Sequence, residues 1–287
     1  MYERGNLSIS TLVGYKKITK TLSKFFADIY VEELSSTHIK EWLTQQSLNN
    51  VTAKTIRNRL CLLKSVLEEA KNDKLIINNP LDEISLTKQL NKCAVKSDYI
   101  VEPFTEEEKQ IIIDNAEGQI KNLIQFNFWT GLRISELIAL KWSDIDFSNG
   151  FTYIKRAKVE NELKTTKTKA GIRKILMFPK AKEALINQLE FTKDCEYVFH
   201  NPNTNKEWAN STKINEIWRK VLTKSNVKYR NPYQMRHTYA STLLSKGENV
   251  FWLSTQMGHE NTEMIIKHYG KWIPQKDNGG YTPIGEY

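Results

Sequence analysis

Residues 231–272, NPYQMRHTYASTLLSKGENVFWLSTQMGHENTEMIIKHYGKW, are punctuated so closely that three short helices can be read through them. Asn231 caps the first, and Pro232 takes its first position, where a missing N–H costs nothing. Gly247 follows the last periodic residue and ends that helix. A second helix over 249–257 leads to a Gly258-His259 break, and Asn261 or Thr262 can cap a third that carries Ile265, Ile266 and Tyr269. An arginine, a histidine and a tyrosine (Arg236, His259 and Tyr269) therefore sit near helix ends within one compact unit.

Upstream, Thr130-Gly131-Leu132-Arg133-Ile134-Ser135-Glu136-Leu137 sets a glycine just before another arginine. Gly131 can take backbone conformations closed to other residues, so the chain can turn sharply there. With Ser135-Glu136-Leu137 opening a helix, Arg133 falls at a helix N-terminus, where free N–H groups and the dipole both favour an anion. Taken alone, it reads better as a surface arginine in a tight turn. Residues 151–155 and 172–178 are strand-like, and the polar Lys/Thr-rich stretch between them reads as a hairpin or a three-stranded loop. By residue type, Lys164, Lys167 and Lys169 could each be a solvated loop charge.

RHTYAS at 236–241, GH at 258–259, a tyrosine ten residues after that histidine, and the TGLR-x-SEL box together resemble the tyrosine recombinases of the phage integrase kind. The resemblance spans residues 130–269. It selects Lys167, because the family's Lys-Thr-x-x-Ser/Gly-x-Arg pattern falls on Lys167, Thr168, Gly171 and Arg173. Breaking a phosphodiester without a metal needs a nucleophile, cations for the non-bridging oxygens and an acid for the leaving 5′-oxygen. The resemblance implies Tyr269 as nucleophile, Arg133 and Arg236 as the phosphate clamp, Lys167 as general acid, and His259 as a hydrogen-bonding or proton-transfer partner. Guanidinium suits the clamp because it is planar, permanently charged and able to bond two oxygens at once. A phosphotyrosine intermediate conserves the bond energy, so no ATP, metal or other cofactor is expected.

One departure stands out. The family commonly has His-x-x-Arg where this chain has Tyr233-Gln234-Met235-Arg236. A phenol can donate or accept a hydrogen bond but does not titrate near neutrality, so Tyr233 cannot carry a proton as imidazole does. Activity is nonetheless expected to survive. His237 is expected to point away from Tyr233 and to be structural, Tyr239 to lie in the core, and Tyr281 and Tyr287 to fall in a tail. His268 reads as a surface or packing residue.

Composition is consistent with a polyanionic partner: 42 Lys+Arg against 33 Asp+Glu give a formal net charge of +9. No apolar run approaches the roughly 20 residues of a membrane span, and the N-terminus lacks a signal-peptide core, so a cytoplasmic protein at the bacterial nucleoid is expected. Three scattered cysteines suggest neither a disulfide framework nor a Cys-x-x-Cys site, and five histidines lack ligand spacing, so no metal site is expected.

The N-terminal part reads as helices. Leu12, Tyr15, Ile18, Leu22 and Phe25 line one face, a second helix starts at a Ser36-Thr37 cap, and Thr52 caps a third that buries Ile56, Leu60, Leu63, Leu67 and Ala70. Lys54, Arg57, Arg59 and Lys64 between them are either a solvated face or DNA-phosphate contacts, with Lys164 and Lys169 as further DNA-binding candidates. The fold expected is mainly α with a small β-sheet or hairpin. It comprises a helical core-binding (SAM-like) domain over 1–85, a linker over 86–101, a mixed α+β tyrosine-recombinase catalytic domain over 102–274 and a tail over 275–287. The resemblance further implies a homotetramer on double-stranded attachment or core-type DNA, with an excision factor and a host DNA-bending protein as candidate partners. Three alternatives stay open: a recombinase of a transposon or replicon-resolution system, a decayed DNA-binding protein of the same fold, and a basic RNA- or membrane-binding protein, which explains only the charge.

Overall fold

The computed structural model describes residues 7–93, 100–159, 161–165 and 171–273. The chain divides into two compact units, Met1–Ile100 and Val101–Tyr287.

In the first unit, helix α1 (Ile9–Phe26) starts where the Ser8 hydroxyl accepts from the Thr11 amide. Helix α2 (Ser36–Leu48) is capped by Ser35 instead of Ser36-Thr37. His38 closes a capping box by accepting from the Ser35 amide, which moves the boundary back one residue. Thr52 caps α3 (Ala53–Asn72) as the sequence indicated. A fourth helix, α4 (Leu86–Cys93), corrects the linker expected to begin at residue 86. Leu90 is only 2 % exposed and joins the core of Ile39, Trp42, Ile56, Leu60 and Leu67, so burial overrides a polar stretch with little visible periodicity.

In the second unit, α5 (Glu106–Asn115) opens on the expected capping box, Thr105 with Glu108. Helix α6 (Gly118–Phe128) leads into the turn at Gly131 and the four-residue α7 (Ile134–Leu137). Strands β1 (Ile145–Asp146), β2 (Phe151–Ile154) and β5 (Arg173–Leu176) form an antiparallel sheet in the order β1-β2-β5, with Ile154 opposite Arg173. The segment between β2 and β5 forms its own ladder, β3 (Arg156–Val159) with β4 (Glu162–Thr165). Helix α8 (Pro179–Thr192) packs on α6, a short β6 (His200–Asn201) and β7 (Lys206–Glu207) pair follows, and α9 (Thr212–Lys224) packs on α5. Phe104, Phe126, Leu137, Ile175, Leu185 and Trp218 belong to the main core of this unit.

The C-terminal segment folds as the three helices read from its punctuation: α10 (Tyr233–Ser245), α11 (Val250–Met257) and α12 (Glu263–Tyr269). Pro232 stands at the N-cap of α10 in place of Asn231, so the expected start moves on by one residue, though Asn231 Oδ1 accepts from the Tyr233 amide; Asn249 caps α11, and Gly258 ends it in the left-handed conformation at φ 65°. Tyr239, Leu253, Met257, Ile265 and Tyr269 form a second core. No helix among the described residues is long and apolar enough to cross a membrane.

Candidate active site

The turn at residue 131 is dictated by two independent constraints. Gly131 has φ +61°, and a Cβ there would fall 2.5 Å from Tyr239 Cδ1. The turn delivers Arg133 to the start of α7, where the sequence suggested open N–H groups for an anion. The structure differs: α7 is a single turn, and the Glu136 carboxylate takes the Arg133 amide at 3.0 Å and Arg133 Nη1 at 2.8 Å. Glu136 thus takes the N-cap amide and one arm of the guanidinium, which also donates to the Gly258 carbonyl at 3.4 Å.

Glu136 is 3 % exposed and also receives Arg173 through Nη2 at 3.0 Å and Nη1 at 3.3 Å. Burial alone would raise its pKa. Arg173's charge and hydrogen bonds, with Arg236 and Arg133 behind them, outweigh that and hold the carboxyl at about 2. Arg173 reaches the third segment as well, donating from Nε to the Gln256 carbonyl at 2.7 Å.

Arg236 is 1 % exposed, and its guanidinium joins the parts. Nη1 donates to the Gly131 carbonyl at 2.7 Å, and Nη2 to the Met257 carbonyl at 2.6 Å and to His259 Nε2 at 3.0 Å. Because guanidinium has no acceptor, His259 Nε2 must accept, which puts the imidazole proton on Nδ1. That nitrogen and Arg236 Nε are both buried with no hydrogen-bond partner among the described residues. Burial, then Arg236, Arg133 and Arg173, pushes His259 down to about 3, so it is neutral at physiological pH. Three guanidinium groups against one carboxylate leave two positive charges uncompensated within this group, and two buried donors stand without an acceptor. An oxyanion is what such a site can take.

Tyr269, at the end of α12, is 3 % exposed, and its Oη lies 2.6 Å from His237 Nδ1. This corrects the expectation that His237 points away from Tyr233. Residues 233 and 237 are four apart on one helix and share a face, so their rings meet edge to face at 5.0 Å instead of pointing apart. His237 also touches the phenol of the expected nucleophile. Burial, then Arg236 and His268, lowers its pKa to about 4. Tyr233 itself is 41 % exposed, while Tyr239 is buried as read, with burial raising its phenol pKa.

Lys167, Lys169, Tyr281 and Tyr287 lie outside the described residues. Lys164 is on β4, its Nζ 3.9 Å from Glu162. In the first unit Lys54 and Arg57 are exposed on α3, Arg59 donates to Gln46 Oε1, and Lys64 lies 3.7 Å from Asp82. The sequence reading missed Glu136, Arg173 and His237. The first two stood inside boxes already noted, and the i, i+4 offset from Tyr233 was the signal for the third. Among the described residues no group of three or more His, Cys, Asp or Glu side chains could hold a metal ion.

A family model described as "Phage integrase family" matches residues 102–273, and one described as "Phage integrase SAM-like domain" matches 1–90. The chain is 29 % identical over 246 residues to the prophage integrase IntR of Escherichia coli K12, covering 77 % of this chain and 58 % of IntR. It is 27 % identical over 300 residues to IntQ of the same organism, a putative defective protein, covering 94 % of this chain and 73 % of IntQ. Among solved structures, the transposon Tn1549 integrase bound to a circular intermediate DNA superposes with a TM-score of 0.78 at 23 % identity, over 93 % of this chain and 91 % of that one.

Proposed function

The chain belongs to the phage integrase family, and from that premise we propose that it is a site-specific DNA recombinase that cuts and rejoins DNA through a 3′-phosphotyrosyl link at Tyr269, integrating and excising a mobile element. The observation that carries this reading is the buried Arg236. One guanidinium staples the carbonyl two residues before Arg133 and the carbonyl two residues before His259, and bonds His259 itself. A phosphate clamp needs its cations fixed before the substrate arrives, because preorganised charge is most effective where negative charge grows in the transition state.

In this reading Arg133 and Arg236 bind the non-bridging oxygens, and the Nδ1–H of neutral His259 donates to one of them. Tyr269 attacks phosphorus, and Lys167, selected by the resemblance, protonates the leaving 5′-oxygen. The partners are double-stranded attachment or core-type DNA and further copies of the chain in a tetramer. An excision factor and a host DNA-bending protein fit the same reading, as does a cytoplasmic, nucleoid-bound location.

A second reading, a DNA-binding protein without strand transfer, draws on Tyr233 at the family's histidine position and on the likeness to IntQ. A binder has no need for the whole set of Arg133, Lys167, Arg236, His259 and Tyr269, which favours the enzyme. The test is a nicked, end-labelled suicide duplex carrying candidate attachment DNA, resolved on a denaturing gel. A covalent adduct formed by the wild type and lost in Tyr269→Phe is expected. No adduct on DNA that the protein demonstrably binds would put the binder ahead.

A further inference from the structure

We propose that His237 is the proton acceptor for Tyr269 during strand cleavage, an assignment that rests on the recombinase reading above. The contact is direct: Nδ1 lies 2.6 Å from Oη, the ring centroids are 5.5 Å apart, and both side chains are buried. In the tautomer protonated on Nε2, Nδ1 presents its lone pair to the phenol hydrogen.

The chemistry requires such a group. As Oη bonds to phosphorus, the Oη–H bond breaks and its proton passes to Nδ1. The bond from phosphorus to the 5′-oxygen breaks, and that oxygen takes a proton from the acid. In an in-line displacement the entering and leaving oxygens lie on opposite sides of phosphorus, so the leaving-group acid cannot also serve the nucleophile. On rejoining, both protons return: the attacking 5′-hydroxyl gives its proton to the acid's conjugate base, and the departing phenolate takes the proton from His237.

The groups that act on the imidazole include Tyr233 and Arg236 from α10 and His268 and Tyr269 from α12. In the free protein, burial and the Arg236 charge keep His237 neutral, so one ring nitrogen keeps a lone pair, and in the Nε2-protonated tautomer that nitrogen is Nδ1. A phosphate bound to Arg236 offsets that repulsion and makes the imidazole a better base when the substrate is in place. Tyr233 cannot take the proton near neutrality, whereas the imidazole four residues on can.

The test uses the full chain on a nicked duplex carrying the element's junction sequence, with the scissile 5′-oxygen replaced by sulfur. A thiolate leaves without an acid, so the reaction reports on nucleophile activation alone. Wild type is expected to form adduct at a rate flat from pH 6 to 9. His237→Ala is expected to fall about 100-fold at pH 7, then to climb about tenfold per pH unit toward the ionisation of an ordinary phenol near 10. His237→Asn keeps an acceptor at the Nδ1 position but cannot carry a proton, and is expected to show the same rising profile. An Asn variant with the wild-type rate and a flat profile would overturn the proposal in favour of a hydrogen bond alone. An Ala variant that is slow but flat would overturn it in favour of packing. A wild type that forms no adduct on bound DNA would sink the recombinase reading and this assignment with it, an outcome distinct from the variant results.

Discussion

Arg236 and His259 meet at 3.0 Å through one nitrogen each, Nη2 and Nε2. Protonating the imidazole would set two donors against each other. The folded-state pKa of about 3 lies below the ordinary 6.5, so the folded form binds fewer protons than the unfolded one. Stability is therefore complete above about pH 6.5 and declines as pH falls toward 3. Urea midpoints measured from pH 7 to pH 4 are expected to fall, with a shallower fall in His259→Gln.

The same guanidinium bonds two carbonyls and one imidazole, which a lysine ammonium cannot reproduce from a single point. Arg236→Lys is expected to lower the rate of adduct formation by about 100-fold or more while leaving DNA affinity within a few-fold. A gel-shift titration run beside the suicide assay separates the two. Equal losses in both would show that Arg236 acts in binding and not in the reaction.

Glu136 neutralises Arg173 within the interior, both being less than 5 % exposed at their side chains. Glu136→Gln removes the charge and keeps the size, leaving a buried guanidinium short of its counter-ion, at a cost of about 3–5 kcal/mol. Its pH window lies below that of the histidines and overlaps it between about 3 and 4.5. With a folded pKa near 2 against an ordinary 4.5, the wild-type contribution is present above about pH 4.5 and is lost as pH falls toward 2. Chemical denaturation of both proteins at pH 7 and pH 3.5 is expected to show a smaller gap at the lower pH.

Gly131→Ala combines a left-handed backbone with a clash against the Tyr239 ring. The backbone term alone costs roughly 1–2 kcal/mol, and the displaced ring adds to it. A thermal melt of this variant should fall by several degrees, and adduct formation should fall with it, because the Gly131 carbonyl holds Arg236.

On α3, Lys54 and Arg57 stand exposed, whereas Arg59 is spent on Gln46. If the first two contact phosphate, replacing both with alanine lowers the slope of log affinity against log salt by about 1.8. Arg59→Ala is expected to leave that slope alone and to reduce stability. A slope unchanged by the double variant would return both residues to a solvated face.

Much of this was legible because caps and glycines act locally. Thr52, Thr105, Asn249 and Gly258 mark helix ends through bonds made within a few residues, so their meaning survives without tertiary context. Arg133, Arg236, His259 and Tyr269 were legible through spacing in recognisable boxes. The helix at Leu86–Cys93 was not, since it depends on burying Leu90 in a core built from distant residues. Arg173 was visible only as part of a pattern, because its partners, Glu136 and the Gln256 carbonyl, lie 37 and 83 positions away. His237 was misread for want of simple helical geometry: four residues make just over one turn, which returns the ring to the face of Tyr233.

Arg236 and His237 are neighbours on a single helix, yet the phenol that His237 touches arrives on another, α12, which buries only Ile265 and Tyr269. The arginine framework and the Tyr269 phenol are therefore mounted on separate parts of unequal grip. Releasing two side chains would undock the seven-residue α12 and carry the phenol from its partner, while the arginine framework, tied through Gly131, Glu136 and Met257, stayed assembled. Under the recombinase reading proposed above, releasing this light helix would withdraw the phenol while the arginine framework kept its shape, so α12 is where control over Tyr269 would sit.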